Sequence, residues 1–99
     1  YAPQARVRLF SAEALQQALA SRRDASSETI AIWSSHPLAN TVTKVLWRAM
    51  PTDPRVCAHD LFAVLRDFDA QGVVEIWVQA PPDGVAWDGV RDRLSRAAA

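Results

Sequence analysis

Ser34, Ser35 and His36 stand in a row, two hydroxyl nucleophiles beside an imidazole base. Such a group could drive acyl transfer if an imidazole nitrogen reached a serine oxygen. No G-x-S-x-G turn surrounds either serine, and adjacency in sequence does not supply hydrogen-bond geometry. The ordinary reading of Ser34-Ser35-His36-Pro37 is therefore a polar turn. Cys57 and His59 are both metal-ligand types, but two residues apart on a helix they point in widely different directions. A buried thiol and a solvent-facing imidazole are expected. Asp53, Asp60, Asp67 and Asp69 have the chemistry for proton transfer, yet a helix cap and a solvated helix face account for them. Phosphate-cradling loops need glycines, and Gly72, Gly84 and Gly89 form neither a dinucleotide fingerprint nor a P-loop. Four tryptophans could stack bases or sugars. Trp33, Trp47 and Trp77 lie in strand-like runs and Trp87 on the inward side of the last helix, so packing is expected of all four. An exposed one would mark an interface. Arg6, Arg8, Arg22, Arg23 and Arg48 are expected to be solvated.

The elements that must position these residues follow from pattern. Val7-Arg8-Leu9-Phe10 alternates as a half-buried strand does. Ser11 caps the following helix, whose Ala12, Leu15, Ala18 and Leu19 share one face and which ends near Arg22-Arg23. Thr29 to Trp33 is a continuous apolar run, the mark of a strand covered on both sides. Val45 to Ala49 reads as a third strand. Asp53 caps and Pro54 opens the clearest helix, with Cys57, Ala58, Leu61, Phe62, Leu65 and Phe68 at spacings of three and four and Gly72 as the left-handed stop. Val73 to Val78 is a fourth strand, broken by Ala80-Pro81-Pro82-Asp83-Gly84. The final helix turns Trp87, Val90, Leu94 and Ala97 or Ala98 inward and pairs Asp88 with Arg91 and Asp92 with Arg96 outside.

Strand, helix, strand, strand, helix, strand, helix implies a three-layer α/β/α sandwich, Rossmann-like, on a mostly parallel sheet of four to five strands. The link between strands two and three is short for a parallel crossover, which leaves an antiparallel strand three open. Residues 1–5 read as the end of a linker and 6–99 as one domain. The chain holds 49% hydrophobic residues, with eleven acidic against eleven basic side chains. That balance provides a core but no global field for nucleic acid or anionic lipid. No run is long enough to span a membrane, and a single cysteine fits a reducing, cytoplasmic setting.

Several stretches taken in order carry a resemblance. They are Met50-Pro51-x-Asp53-Pro54, Ala58-x-x-Leu61-Phe62-x-x-Leu65-Arg66-x-Phe68-Asp69-x-x-Gly72, Glu75-Ile76-Trp77-Val78-x-Ala80-Pro81-Pro82 and Trp87-Asp88-x-Val90-x-Asp92-Arg93-Leu94-x-Arg96-Ala97. Together they resemble the C-terminal domain of long-form L-threonylcarbamoyladenylate synthases, and Tyr1-Ala2-Pro3 is similar to the end of that family's interdomain linker. Cys57 and Phe62 depart from the pattern, standing where tyrosines are expected. The resemblance implies a noncatalytic accessory domain joined to a YrdC-like catalytic domain. That enzyme makes threonylcarbamoyl-AMP from threonine, bicarbonate and ATP for the N6-threonylcarbamoyladenosine modification of tRNA. ATP and magnesium would belong to the catalytic half, with no cofactor in this chain and only an indirect link to the tRNA-modification machinery. The implied role is a lid that gates the active site, with Tyr1, Ala2, Pro3, Ser34, Ser35, His36 and Pro37 as interdomain contacts. Two other readings follow from the residues alone: a small-ligand or nucleotide-sensing module at the sheet's carboxyl edge, and a small hydrolase using Ser35 and His36.

Overall fold

A computed structural model describes residues 3–22, 28–35 and 44–98. Its elements are β1 (Arg6–Phe10), α1 (Ala12–Ser21), β2 (Ile30–Ser34), β3 (Val45–Ala49), α2 (Pro54–Ala70), β4 (Glu75–Gln79), a 3₁₀ turn (Val85–Trp87) and α3 (Asp88–Ala98). The four strands form one sheet in the order β1-β4-β2-β3, parallel throughout. Strand three is thus parallel to strand two, in register from Ile30 opposite Val45 to Ser34 opposite Ala49.

Alternation along the strands sends side chains to two separate cores. Ile30, Ile32 and Trp77 meet Leu15 and Leu19 of α1 on one face. Val7, Ala31, Trp33, Ile76 and Val78 meet Cys57, Leu61, Val64, Leu65 and Phe68 of α2 and Val90 and Leu94 of α3 on the other. The crossovers β1–α1–β2 and β3–α2–β4 each skip one strand and run in opposite directions across the sheet. Right-handed connection requires their helices on opposite faces, which is where α1 and α2 lie. The three layers expected from the sequence are present.

Local signals set the helix limits. The Ser11 side chain accepts from the Ala14 amide at 3.1 Å, and Asp53 accepts from the Arg55 amide at 2.8 Å with Pro54 opening α2. Gly72 takes φ of 78° and closes α2 by donating to the Asp69 carbonyl at 3.1 Å. Two expectations are corrected. Trp87 precedes α3, in the 3₁₀ turn, and is half-buried. Trp47 is not a core residue: it lies on the edge strand β3, 42% exposed. An edge strand has a neighbour on one side only, so a large side chain there stays partly open.

Leu61 has no exposed surface and sits where α2 meets the sheet, whereas Val56 on the same helix is 45% exposed. Leu61→Ala is expected to lower unfolding free energy by about 2–5 kcal/mol in urea titrations, since a cavity adds to the lost burial. Val56→Ala is expected to change it by less than about 0.5 kcal/mol.

Candidate functional site

In an open α/β sheet, ligands and partners reach the carboxyl ends of the strands where neighbouring connections diverge. Here that point falls between β2 and β4: the chain leaves β2 toward β3 and leaves β4 toward α3, which packs beside β1. The carboxamide of Gln79 spans the gap. Its Oε1 accepts from the Ser35 amide at 3.0 Å and from the Ser35 hydroxyl at 3.1 Å. A backbone N–H can only donate, so this contact fixes which end of the carboxamide faces Ser35. Beside it lies a crevice of about 110 Å³, lined by Ser35, Met50, Pro51, Gln79, Pro82 and Trp87 among others.

The hydroxyls expected at this edge are engaged structurally. Ser34 is the last residue of β2 and is buried, and its Oγ accepts from the Trp47 indole at 3.0 Å. Its carbonyl accepts from the Met50 amide at 2.9 Å. Ser34 is therefore a strand residue and not a turn residue. His36 and Pro37 lie outside the described residues, as do Tyr1 and Ala2. Pro3 is described, and it precedes β1 at the amino edge of the sheet, whereas Ser34 and Ser35 are at the carboxyl edge. Among the described residues, Pro3 and the Ser34–Ser35 pair therefore lie at opposite edges of the sheet.

Asp69 differs from its solvated expectation. Its carboxylate, near the end of α2, accepts from the amides of Gln4 at 3.0 Å and Ala5 at 2.9 Å. Asp67 meets Arg48 at 3.2 Å, and Asp60 meets His59 at 3.0 Å. The His59 side chain is 87% exposed and Cys57 is fully buried, which separates the two metal-ligand types as expected. Among the described residues, no group of three or more His, Cys, Asp or Glu could hold a metal.

Arg8 and Arg22 share one groove, and Arg48 lies on the edge strand β3. Arg8 lies over the Phe10 ring and 3.4 Å from Glu75, whose carboxylate also accepts from the Trp77 indole at 2.7 Å. Arg22 donates to the Glu28 carbonyl. These groups line an open groove of about 390 Å³ under the end of α1, where two cations face two carboxylates and neither charge sign is favoured.

The loop after β4 is braced from α3. Arg91 on α3 donates to the carbonyls of Pro82 and Gly84, each at 2.6 Å, and pairs with Asp88. The 3₁₀ turn that follows carries Val85, with 85% of its surface in solvent. The signal for a break was legible in Pro81-Pro82, but the brace needed the fold.

The crevice is far below the roughly 300–1,000 Å³ of a small-molecule pocket. Among the described residues, which do not include His36, no metal cluster is assembled. The family model of the threonylcarbamoyl-AMP synthase C-terminal domain matches residues 1–99, and the chain belongs to that family. Membership places it with proteins of tRNA modification. No curated protein and no solved structure matches the chain at a significant level. Among the described residues no helix is long and apolar enough to cross a membrane.

Burial, with the Asp60 carboxylate adding to it, pushes the Cys57 thiol up from 9.0 to about 11. The folded chain therefore holds this proton more tightly than the unfolded chain does. The resulting stability is complete below pH 9 and is lost as pH rises toward 11. Urea unfolding is expected to show a steeper alkaline loss of stability for the wild type than for Cys57→Ala. The thiol is expected to resist iodoacetamide at pH 8 until the chain is unfolded.

Proposed function

We propose that this chain is the noncatalytic accessory domain of a threonylcarbamoyl-AMP synthase. It is tethered by a linker ending near Tyr1-Ala2-Pro3 to a YrdC-like catalytic domain and gates that domain's active site. The observation that carries the reading is the family match across the whole chain. Its physical support is that the groups able to do chemistry are committed elsewhere: Ser34 to Trp47, Ser35 to Gln79 and Cys57 to the core. A domain without its own reaction centre contributes by contact, and closure over a neighbouring site excludes water from a reactive intermediate.

In this reading ATP, magnesium, threonine and bicarbonate bind the catalytic half, and the enzyme works in the cytoplasm in tRNA modification. The balanced charge of eleven acidic and eleven basic side chains supports contact with a protein and gives no pull toward tRNA itself. The nucleotide-sensing alternative would have to use the carboxyl-edge crevice, whose 110 Å³ is small for it. The hydrolase alternative needs Ser35 and His36 to act as a pair, while the Ser35 hydroxyl already donates to Gln79.

The test is an NMR titration of the 99-residue chain with ATP, with threonine and with a separately purified catalytic domain. Amide shifts are expected with the catalytic domain alone. Shifts at Ser35 and Gln79 with ATP alone would replace the lid by a nucleotide sensor. Turnover of an ester substrate by the isolated chain, abolished by His36→Ala, would overturn the noncatalytic assignment.

A further inference from the structure

We propose that Asp69 is a positioning residue that fixes where, and in what direction, the preceding chain joins this domain. Two consecutive amides, those of Gln4 and Ala5, donate to the two oxygens of its one carboxylate, at 3.0 and 2.9 Å. A single hydrogen bond would hold a point on the chain. Two from successive residues to a rigid acceptor also fix the orientation of the peptide plane between them.

The acceptor is held rigidly. Phe68 beside it is buried at 4% exposure, the Asp69 carbonyl accepts from Gly72, and the Phe68 carbonyl accepts from Gln71. The donors are continuous with the sheet, since the Arg6 amide bonds the Val74 carbonyl at 3.1 Å. Pro3 ends this run of donors because it has no N–H, and its ring fixes φ near about −65°. The stiff exit of the chain thus comprises Pro3, Gln4 and Ala5.

One feature separates this tie from ordinary fold stabilisation. Gln4 is itself exposed, so tying it down buries no apolar surface, whereas Ala5 is already in the core. What the Gln4 bond adds is direction. The inference rests on the accessory-domain reading only in supposing that a partner domain precedes residue 1.

Amide hydrogen exchange on the 99-residue chain tests the tie, comparing the wild type with Asp69→Asn, Asp69→Ala and Asp69→Glu. In the wild type, Gln4 and Ala5 amides are expected to exchange about tenfold or more slowly than in an unstructured peptide. Asp69→Ala removes both acceptors, and Asp69→Asn turns one acceptor into a donor facing an amide. Asp69→Ala is expected to abolish the protection of both amides and Asp69→Asn that of one of them, while the Ile76 and Leu61 amides stay protected. Asp69→Glu keeps the carboxylate and is expected to restore part of it. Unprotected Gln4 and Ala5 amides in the wild type, or protection unchanged in Asp69→Ala, would overturn the tie. Direction is then read in the longer protein that carries this chain, by spin-label distances between the two domains. Asp69→Asn is expected to broaden the distance distribution, and an unchanged distribution would overturn the positioning role. The lid reading fails by a different result, the absence of shifts on adding the catalytic domain to the wild-type chain.

Discussion

The interior strands β2 and β4 are covered on both faces, and the rest of the domain is arranged to make that possible. Along Ile30-Ala31-Ile32-Trp33 each side chain is at most 1% exposed, with alternate residues entering different cores. Ile76, Trp77 and Val78 repeat the pattern in β4. A strand that is apolar on both sides cannot face water on either, so helices must lie above and below the sheet. Parallel pairing supplies them, because each skipping crossover carries a helix across one face. The outer strands then absorb what the interior cannot. β1 shows Arg6 and Arg8 to solvent and β3 shows Arg48, and charge on edge strands discourages pairing with a second sheet.

Signals confined to a few neighbouring residues were legible in the sequence. The apolar run before Ser34 announced an interior strand, Asp53-Pro54 the start of α2 and Gly72 its stop, and each depends on local backbone chemistry. Strand order was not legible, because β1-β4-β2-β3 depends on crossovers whose direction no local pattern records. Trp47 was misread for the same reason: its run looks like that of Trp33, and only its place at the sheet's edge leaves it exposed. Asp69 was misread because its two donors lie more than sixty residues earlier in the chain. Ser34 and Ser35 were located as belonging to the carboxyl edge, but their partners Trp47 and Gln79 come from other strands.

Those partners bear on what the domain can do. A serine hydroxyl that fills an indole donor, or that donates to a carboxamide, is held in place by the fold and is not poised against a base. A thiol with its pKa raised to about 11 is a packing group at neutral pH. Chemistry withdrawn into structure in this way fits the family's C-terminal domain, whose members accompany a synthase. Among the described residues, the exposed apolar surface includes Val85 in the loop after β4 and Trp47 on the edge strand.

The separation of the two sheet edges gives such a domain a mechanical property. Gln4 and Ala5 are tied at the amino edge, and the Ser35–Gln79 bridge lies at the carboxyl edge, one strand length away. Five residues of strand span roughly 17 Å. Over that arm, a rotation of about 10° at the tie moves the far edge by about 3 Å, roughly the length of a hydrogen bond. A body with two filled cores does not bend to absorb such a rotation, so the movement is delivered to whatever touches the carboxyl edge. In the lid reading proposed above, small changes in how the preceding chain arrives would be converted into the making or breaking of contacts at the opposite end.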